Sequence, residues 1–222
     1  MKRFFLSACA VGATIALSLS LGGCSSTPDY TAYVSEYRAE IYRAETEDFS
    51  LVAFFGEREY PYAADGVCAA KSPLMEVYLT APDNTADYTL SFTIGNATYG
   101  GDMSYDSVHA RFSYSESVPA VTADGLTFTV VCEGEETVLQ AATVKTGKEL
   151  TMPEIVDKLI EQRPTLFESL TKGNAFEAEL CVRLVCNQKC YYFVGVSAAE
   201  GWSDYFLLDA ESGQICAERT HE

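Results

Sequence analysis

Apolar and polar positions alternate through the middle of the chain in short runs, as where Leu126, Phe128 and Val130 are separated by Thr127 and Thr129. That period sets one face of a strand in a core and the other toward water. Residues 49–55, 74–80, 88–94, 108–114, 126–132 and 137–144 share this β-rich character. Asp65-Gly66, Pro82-Asp83-Asn84, Gly100-Gly101-Asp102, Asp124-Gly125 and Gly134 separate them as turn signals. The pattern predicts a mainly β fold, an antiparallel immunoglobulin-like β-sandwich. Upstream, Tyr30, Tyr33, Val34, Tyr37 and Ile41 recur at helical spacing behind Thr27-Pro28, which predicts a short capped helix. Residues 41–44 fit equally well the first arm of a hairpin that turns at 45–48.

The pattern changes after Lys145-Thr146-Gly147-Lys148, which places a boundary between residues 30–147 and 148–222. Thr151 followed by Glu154, with Pro153 between them, is a capping-box sequence. Ile155, Val156, Leu159 and Ile160 give that helix its apolar stripe, and Pro164 ends or kinks it before Leu166, Phe167 and Leu170. Strands are expected at 176–186, 190–196, 204–209 and 214–218. With its own helix, sheet and apolar face, this second region, an α+β tail, is expected to fold independently.

The runs Tyr191-Tyr192-Phe193-Val194-Gly195-Val196 and Tyr205-Phe206-Leu207-Leu208-Asp209-Ala210-Glu211-Ser212-Gly213-Gln214-Ile215 resemble the end of a PepSY-type module. In that family an aspartate-containing turn reading roughly D-A-x-T-G-x-I links the last two strands, and Ser212 stands here for the threonine. The resemblance covers about the last 70 residues. It implies a small helix-on-antiparallel-sheet domain, an extracytoplasmic setting, and an envelope protein or a peptidase as partner. The family supplies no agreed catalytic residues.

The first residues carry a different signal. Lys2 and Arg3 precede an apolar stretch from 4 to 21, the anatomy of a secretion signal. Leu21-Gly22-Gly23-Cys24 resembles the lipobox of bacterial lipoproteins, in which the cysteine carries diacylglycerol. Residues 1–23 then form a signal peptide, Cys24 is the lipidated residue, and 24–29 tether the fold to the outer side of the cell membrane. Two acyl chains, at about 0.8 kcal/mol per buried methylene, hold a protein stably where one is marginal.

The whole chain has a formal net charge of −17, and without Lys2 and Arg3 it lies near −19. Such a surface repels nucleic acid and polyanionic wall polymers. Six cysteines remain beyond Cys9 and Cys24, an even number that favours disulfides outside the cytoplasm. Cys186 and Cys190 flank a three-residue turn and can bond across a hairpin, with Cys181–Cys190 as the competing pairing. A Cys68–Cys132 bridge would span much of the sandwich.

Candidate chemistry is sparse. His109 and His221 are the only histidines, and the 32 acidic residues single out no carboxylate pair. Asp83, Asp87, Asp102 and Asp106 lack the spacing of a calcium loop. No catalytic residue, metal site or cofactor is expected. Glu57, Arg58, Tyr60 and Tyr62 form a charged and aromatic segment of the kind binding sites recruit. The expected role is lipid-anchored binding or regulation. A carboxylate-based hydrolase, a thiol-exchange enzyme using Cys186 and Cys190, and a ligand-binding accessory to a transporter are the alternatives.

Overall fold

A computed structural model describes residues 28–60, 65–121 and 123–221. The signal segment, Cys24 and Tyr62 lie outside the described residues.

The chain opens with a 3-10 turn at Tyr30–Tyr33, capped by the Asp29 carboxylate. Strands β1 (Val34–Glu45), β2 (Ser50–Glu59), β3 (Lys71–Thr80), β4 (Tyr88–Ile94) and β5 (Ala97–Asp102) follow. Next come β6 (Ser104–Asp106), β7 (Arg111–Glu116), β8 (Gly125–Cys132) and β9 (Glu135–Thr143). Helices α1 (Met152–Gln162) and α2 (Pro164–Ser169) precede the short β10 (Thr171–Lys172) and β11 (Ala175–Phe176). The chain closes with β12 (Ala178–Cys186), β13 (Cys190–Ala198), β14 (Ser203–Asp209) and β15 (Ile215–Arg219).

The helix expected over residues 28–41 is a strand beyond its first turn. The register of β1 shifts between Val34 and Glu36, and again between Arg38 and Glu40. Each inserted residue stretches the spacing of same-face positions from two to three. Val34 and Tyr37 therefore share a face at a spacing of three, opposite Leu180 and Val182, and imitate a helical period. The second shift turns Ile41, opposite Phe54, to the other face from Tyr37, opposite Glu57. The alternative hairpin is present: Glu45 faces Ser50, and the Thr46 amide donates to the Phe49 carbonyl.

The expected sandwich is also different in form. Its strands belong to one 13-stranded sheet, in which the path β5-β4-β8-β9-β1-β2-β3-β7-β6 curls into a nearly closed barrel. Gly100 on β5 donates its amide to the Glu116 carboxylate at the end of β7, which bridges the seam. Alternate residues fill the interior: Leu51, Ala53, Met75, Val77, Leu90, Phe92, Phe128, Val130 and Leu139 are all buried there.

The second core lies between α1, α2 and the sheet β15-β14-β13-β12-β1. Its capping box forms as the sequence implies, with Thr151 and Glu154 hydrogen-bonded. Ile155, Val156 and Leu159 face Leu180, Val182, Val194 and Phe206. The boundary at 145–148 is crossed by β1, which runs parallel to β12 in its first half and antiparallel to β9 in its second. Ile41, 1 % exposed, sits where β12 leaves β1 and β9 takes its place, and belongs to the core under the helices.

Cys186 and Cys190 are bonded at the tip of the β12–β13 hairpin, opposite one another in register. Cys68 and Cys132 are free thiols. Cys132 pairs with Tyr88, whose ring meets Phe49 beside the start of β2. Cys68 instead adjoins Glu59 at the other end of that strand. Nine strand residues, about 30 Å, lie between the two positions, far beyond disulfide reach. Because the hairpin bond closes so short a loop, replacing both Cys186 and Cys190 by Ser is expected to cost no more than about 2 kcal/mol. A urea denaturation curve checks this, and a larger loss would show that the bond holds more than the local register.

Candidate functional site

One face of the β14-β13-β12-β1-β2-β3 sheet is backed by helices or barrel interior. The other, the open face, carries mostly partly exposed side chains, and at β2 its Val52 and Phe54 also pack against the core under the helices. Register defines two rows across the open face. Leu207, Phe193, Arg183, Arg38, Gly56 and Leu74 lie side by side, and Tyr205, Gly195, Cys181, Glu36, Arg58 and Ser72 form the next row. At about 4.8 Å per strand, each row extends about 24 Å.

Three arginines and two carboxylates interlock at its centre. Arg183 grips Glu36 with two parallel bonds, Nε to Oε1 at 2.8 Å and Nη2 to Oε2 at 2.5 Å. This fork geometry suits a guanidinium against a carboxylate. Arg38 reaches Glu36 at 3.5 Å and Glu76 at 3.2 Å, and Arg58 approaches Glu76 at 3.8 Å. The Glu36 side chain is only 3 % exposed, whereas those of Arg58 and Arg183 are each 33 % exposed. Glu36 lies deep beneath outward guanidinium groups, while Arg38 and Glu76 are about equally exposed, at 21 % and 17 %.

Aromatic rings flank the charges. The Phe193 and Tyr205 rings stack with centroids 5.6 Å apart. Gly195 lies beneath the Tyr205 ring, where a Cβ would stand in ordinary van der Waals contact with it at 3.5 Å. On the other flank the Arg38 guanidinium lies 4.8 Å from the centre of Phe54, whose ring meets the edge of Tyr78. Such cation–π contacts hold a guanidinium in place while its hydrogen-bonding edge stays available.

Beyond Glu76 the face opens into a cavity of about 580 Å³ lined by Tyr78, Asp106, His109, Arg111, Ser113 and neighbouring residues. Arg111 stacks 3.7 Å above the Tyr78 ring, and its Nε is buried with no hydrogen-bond partner among the described residues. His109 Nδ1 lies 2.6 Å from the Asp106 carboxylate, whose pKa is lowered first by that hydrogen bond. Among the described residues no hydroxyl or thiol is hydrogen-bonded to the imidazole, and Ser113 Oγ donates to the Ser104 carbonyl.

A second polar cluster lies at the end of β2. Glu59 and Glu179 are 2 % and 1 % exposed, and accept from the Ala69 and Gly66 amides. Each keeps one oxygen without a partner among the described residues. Burial raises the Glu179 pKa, with the nearby Glu59 and Asp65 adding to the rise. The pair fastens the loop before β3 against β12. Gly66 adopts a positive φ of 80° there, and a Cβ would meet the Ala199 amide nitrogen at 2.2 Å.

The segment expected to bind is divided by the fold. Glu57 and Arg58 belong to β2 instead of a loop, and alternation sends their side chains to opposite faces. Arg58 alone joins the open face, while Tyr60 is 88 % exposed beyond the strand. Glu36, Arg38, Glu76 and Arg183 were not singled out from the sequence. Their signal was present: Arg183 interrupts an apolar run between Val182 and Leu184, and Glu76 does the same inside β3. Cys181 shares the face, but burial and the Glu36 charge push its thiol up to about 12, so it is held protonated.

No protein-family model matches the chain, and no curated protein is significantly similar to it.

Proposed function

We propose that this is a lipid-anchored protein of the bacterial envelope that acts by binding a partner on the open face of its sheet. The observation that carries the reading is the ladder of Arg183, Glu36, Arg38, Glu76 and Arg58, set between aromatic platforms and continuous with a polar cavity. Its guanidinium groups are oriented before any partner arrives, which reduces the entropy lost on binding. The Leu21-Gly22-Gly23-Cys24 sequence supports the anchor, and the helix-backed sheet is compatible with a PepSY-like tail. That tail makes an envelope protein or a peptidase the natural class of partner.

The anchor is tested by fractionation. Cys24→Ser is expected to remove the chain from the membrane pellet, because its attachment rests on the acyl chains. Recovery of the processed variant in the pellet at the wild-type level would overturn the anchoring.

A further inference from the structure

We infer that the open face binds an acidic polypeptide segment laid across the strands, its carboxylates over Arg183, Arg38 and Arg58 and its apolar side chains on Phe193, Tyr205 and Leu207. The inference rests on the binding role proposed above and names its partner by chemistry.

The first argument is the distribution of charge. The chain carries a net charge of −17, and its described residues contain seven arginines. Five of them, Arg38, Arg58, Arg111, Arg183 and Arg219, stand on this face by register. The other two are committed elsewhere: Arg43 donates to the Cys186 carbonyl and Arg163 pairs with Glu218. Among the described residues the ladder sets three guanidinium groups against two carboxylates, on a chain whose net charge is strongly negative.

The second argument is unsatisfied donor capacity. Among the described residues Arg58 has one ion pair, to Glu76 at 3.8 Å, too long for a hydrogen bond. Arg111 has a buried Nε without a partner among the described residues, a donor whose desolvation an incoming acceptor would offset.

The third argument selects a peptide over a long polyanion. At physiological salt, charges interact over about 8 Å. A short acidic segment confined to the strip meets the arginines alone, whereas a charged polymer running beyond it meets the acidic remainder of the surface. The stacked pair Phe193–Tyr205, with Leu207 beside it, supplies an apolar surface that a charged polymer does not use.

The test uses the full chain in non-ionic detergent and a displayed library of random dodecapeptides. The expected result is enrichment of peptides carrying several Asp or Glu beside one or more large apolar residues. In fluorescence anisotropy a selected peptide should bind at least tenfold more weakly to Arg58→Glu, with affinity largely restored in Arg58→Lys. Tyr205→Ala should weaken it by about threefold or more. Lys148→Glu, an equal charge change at an exposed site off the face, should leave affinity unchanged. Arg58 is one-third exposed with one loose ion pair among the described residues, so its variants are expected to keep the fold, and an unchanged circular dichroism spectrum checks this.

Failure to select any peptide, absence of acidic enrichment, or equal weakening by Lys148→Glu would overturn the inference. So would binding of phosphatidylglycerol vesicles or long polyglutamate that depends on Arg58 as strongly as peptide binding does. Selected peptides whose binding ignores both Arg58 and Tyr205 would leave a binding protein but remove this face and this partner. Fractionation of Cys24→Ser reports on the anchor alone, so the failure of either claim is read separately.

Discussion

Residues 148–222 produced by themselves are expected to be largely unfolded and rapidly digested by thermolysin, while the intact chain resists. The change of pattern at 145–148 suggests a module that stands alone, but its core is completed by residues from the other side of that boundary. Val34 and Ile41 are 0 % and 1 % exposed within it, and the Tyr30 ring sets its edge against Phe167 and Phe176 at 5.1 Å each. At roughly 2 kcal/mol for each buried side chain, losing these three removes about 6 kcal/mol. Small domains hold only about 5–15 kcal/mol in total. The deletion also strips β12 of its parallel partner, exposing the backbone of a strand whose Leu180 and Val182 are fully buried. Tyr33 adds a further tie, since its hydroxyl accepts from the Phe176 amide. Limited proteolysis with circular dichroism decides the matter. A resistant fragment with native-like strand signal would show that the helices and four strands suffice without β1.

The contrast between β1 and the other strands shows what the sequence makes legible. In β4 and β8 alternation runs unbroken from end to end, and the expected bounds agree with the observed ones within a residue. α1 is legible because its start is encoded locally, in Thr151, Pro153 and Glu154. β1 is disguised because its two bulges are set by pairing with β2 and β12, which lie far away along the chain. β5 contains Gly100 and Gly101 and buries little, so its sequence reads as a turn although it pairs along β4. The curvature of a barrel has no local signature either, and alternation alone fits a sandwich equally well. The open face is half legible: Arg58 stands out in the sequence for its aromatic neighbours, but alternation parts it from Glu57. Glu36 and Arg183 are 147 positions apart and meet only because β1 and β12 run in parallel.

Arg183→Leu is expected to destabilise the fold by about 3 kcal/mol, a large share of the stability of a chain this size. The loss comes from the group left behind more than from the one removed. Glu36 has a side chain 3 % exposed, and its two oxygens are held by the Arg183 fork at 2.8 and 2.5 Å. Without that fork its nearest guanidinium is Arg38 at 3.5 Å, which is already shared with Glu76 at 3.2 Å. A buried carboxylate stripped of its partner costs far more than an exposed pair ever contributes. The pair as a whole is a different matter, because removing both charges removes the desolvation of both. Glu36→Leu combined with Arg183→Leu places two apolar side chains beside Cys181 and Gly195, and should recover most of the loss. Urea midpoints of the wild type, both single variants and the double variant form a thermodynamic cycle, read at constant m. A coupling of about 2 kcal/mol or more identifies the fork as the element that lets Glu36 be buried. Additive single losses would mean that Arg38 alone can neutralise Glu36, and that Arg183 is held on the open face by packing.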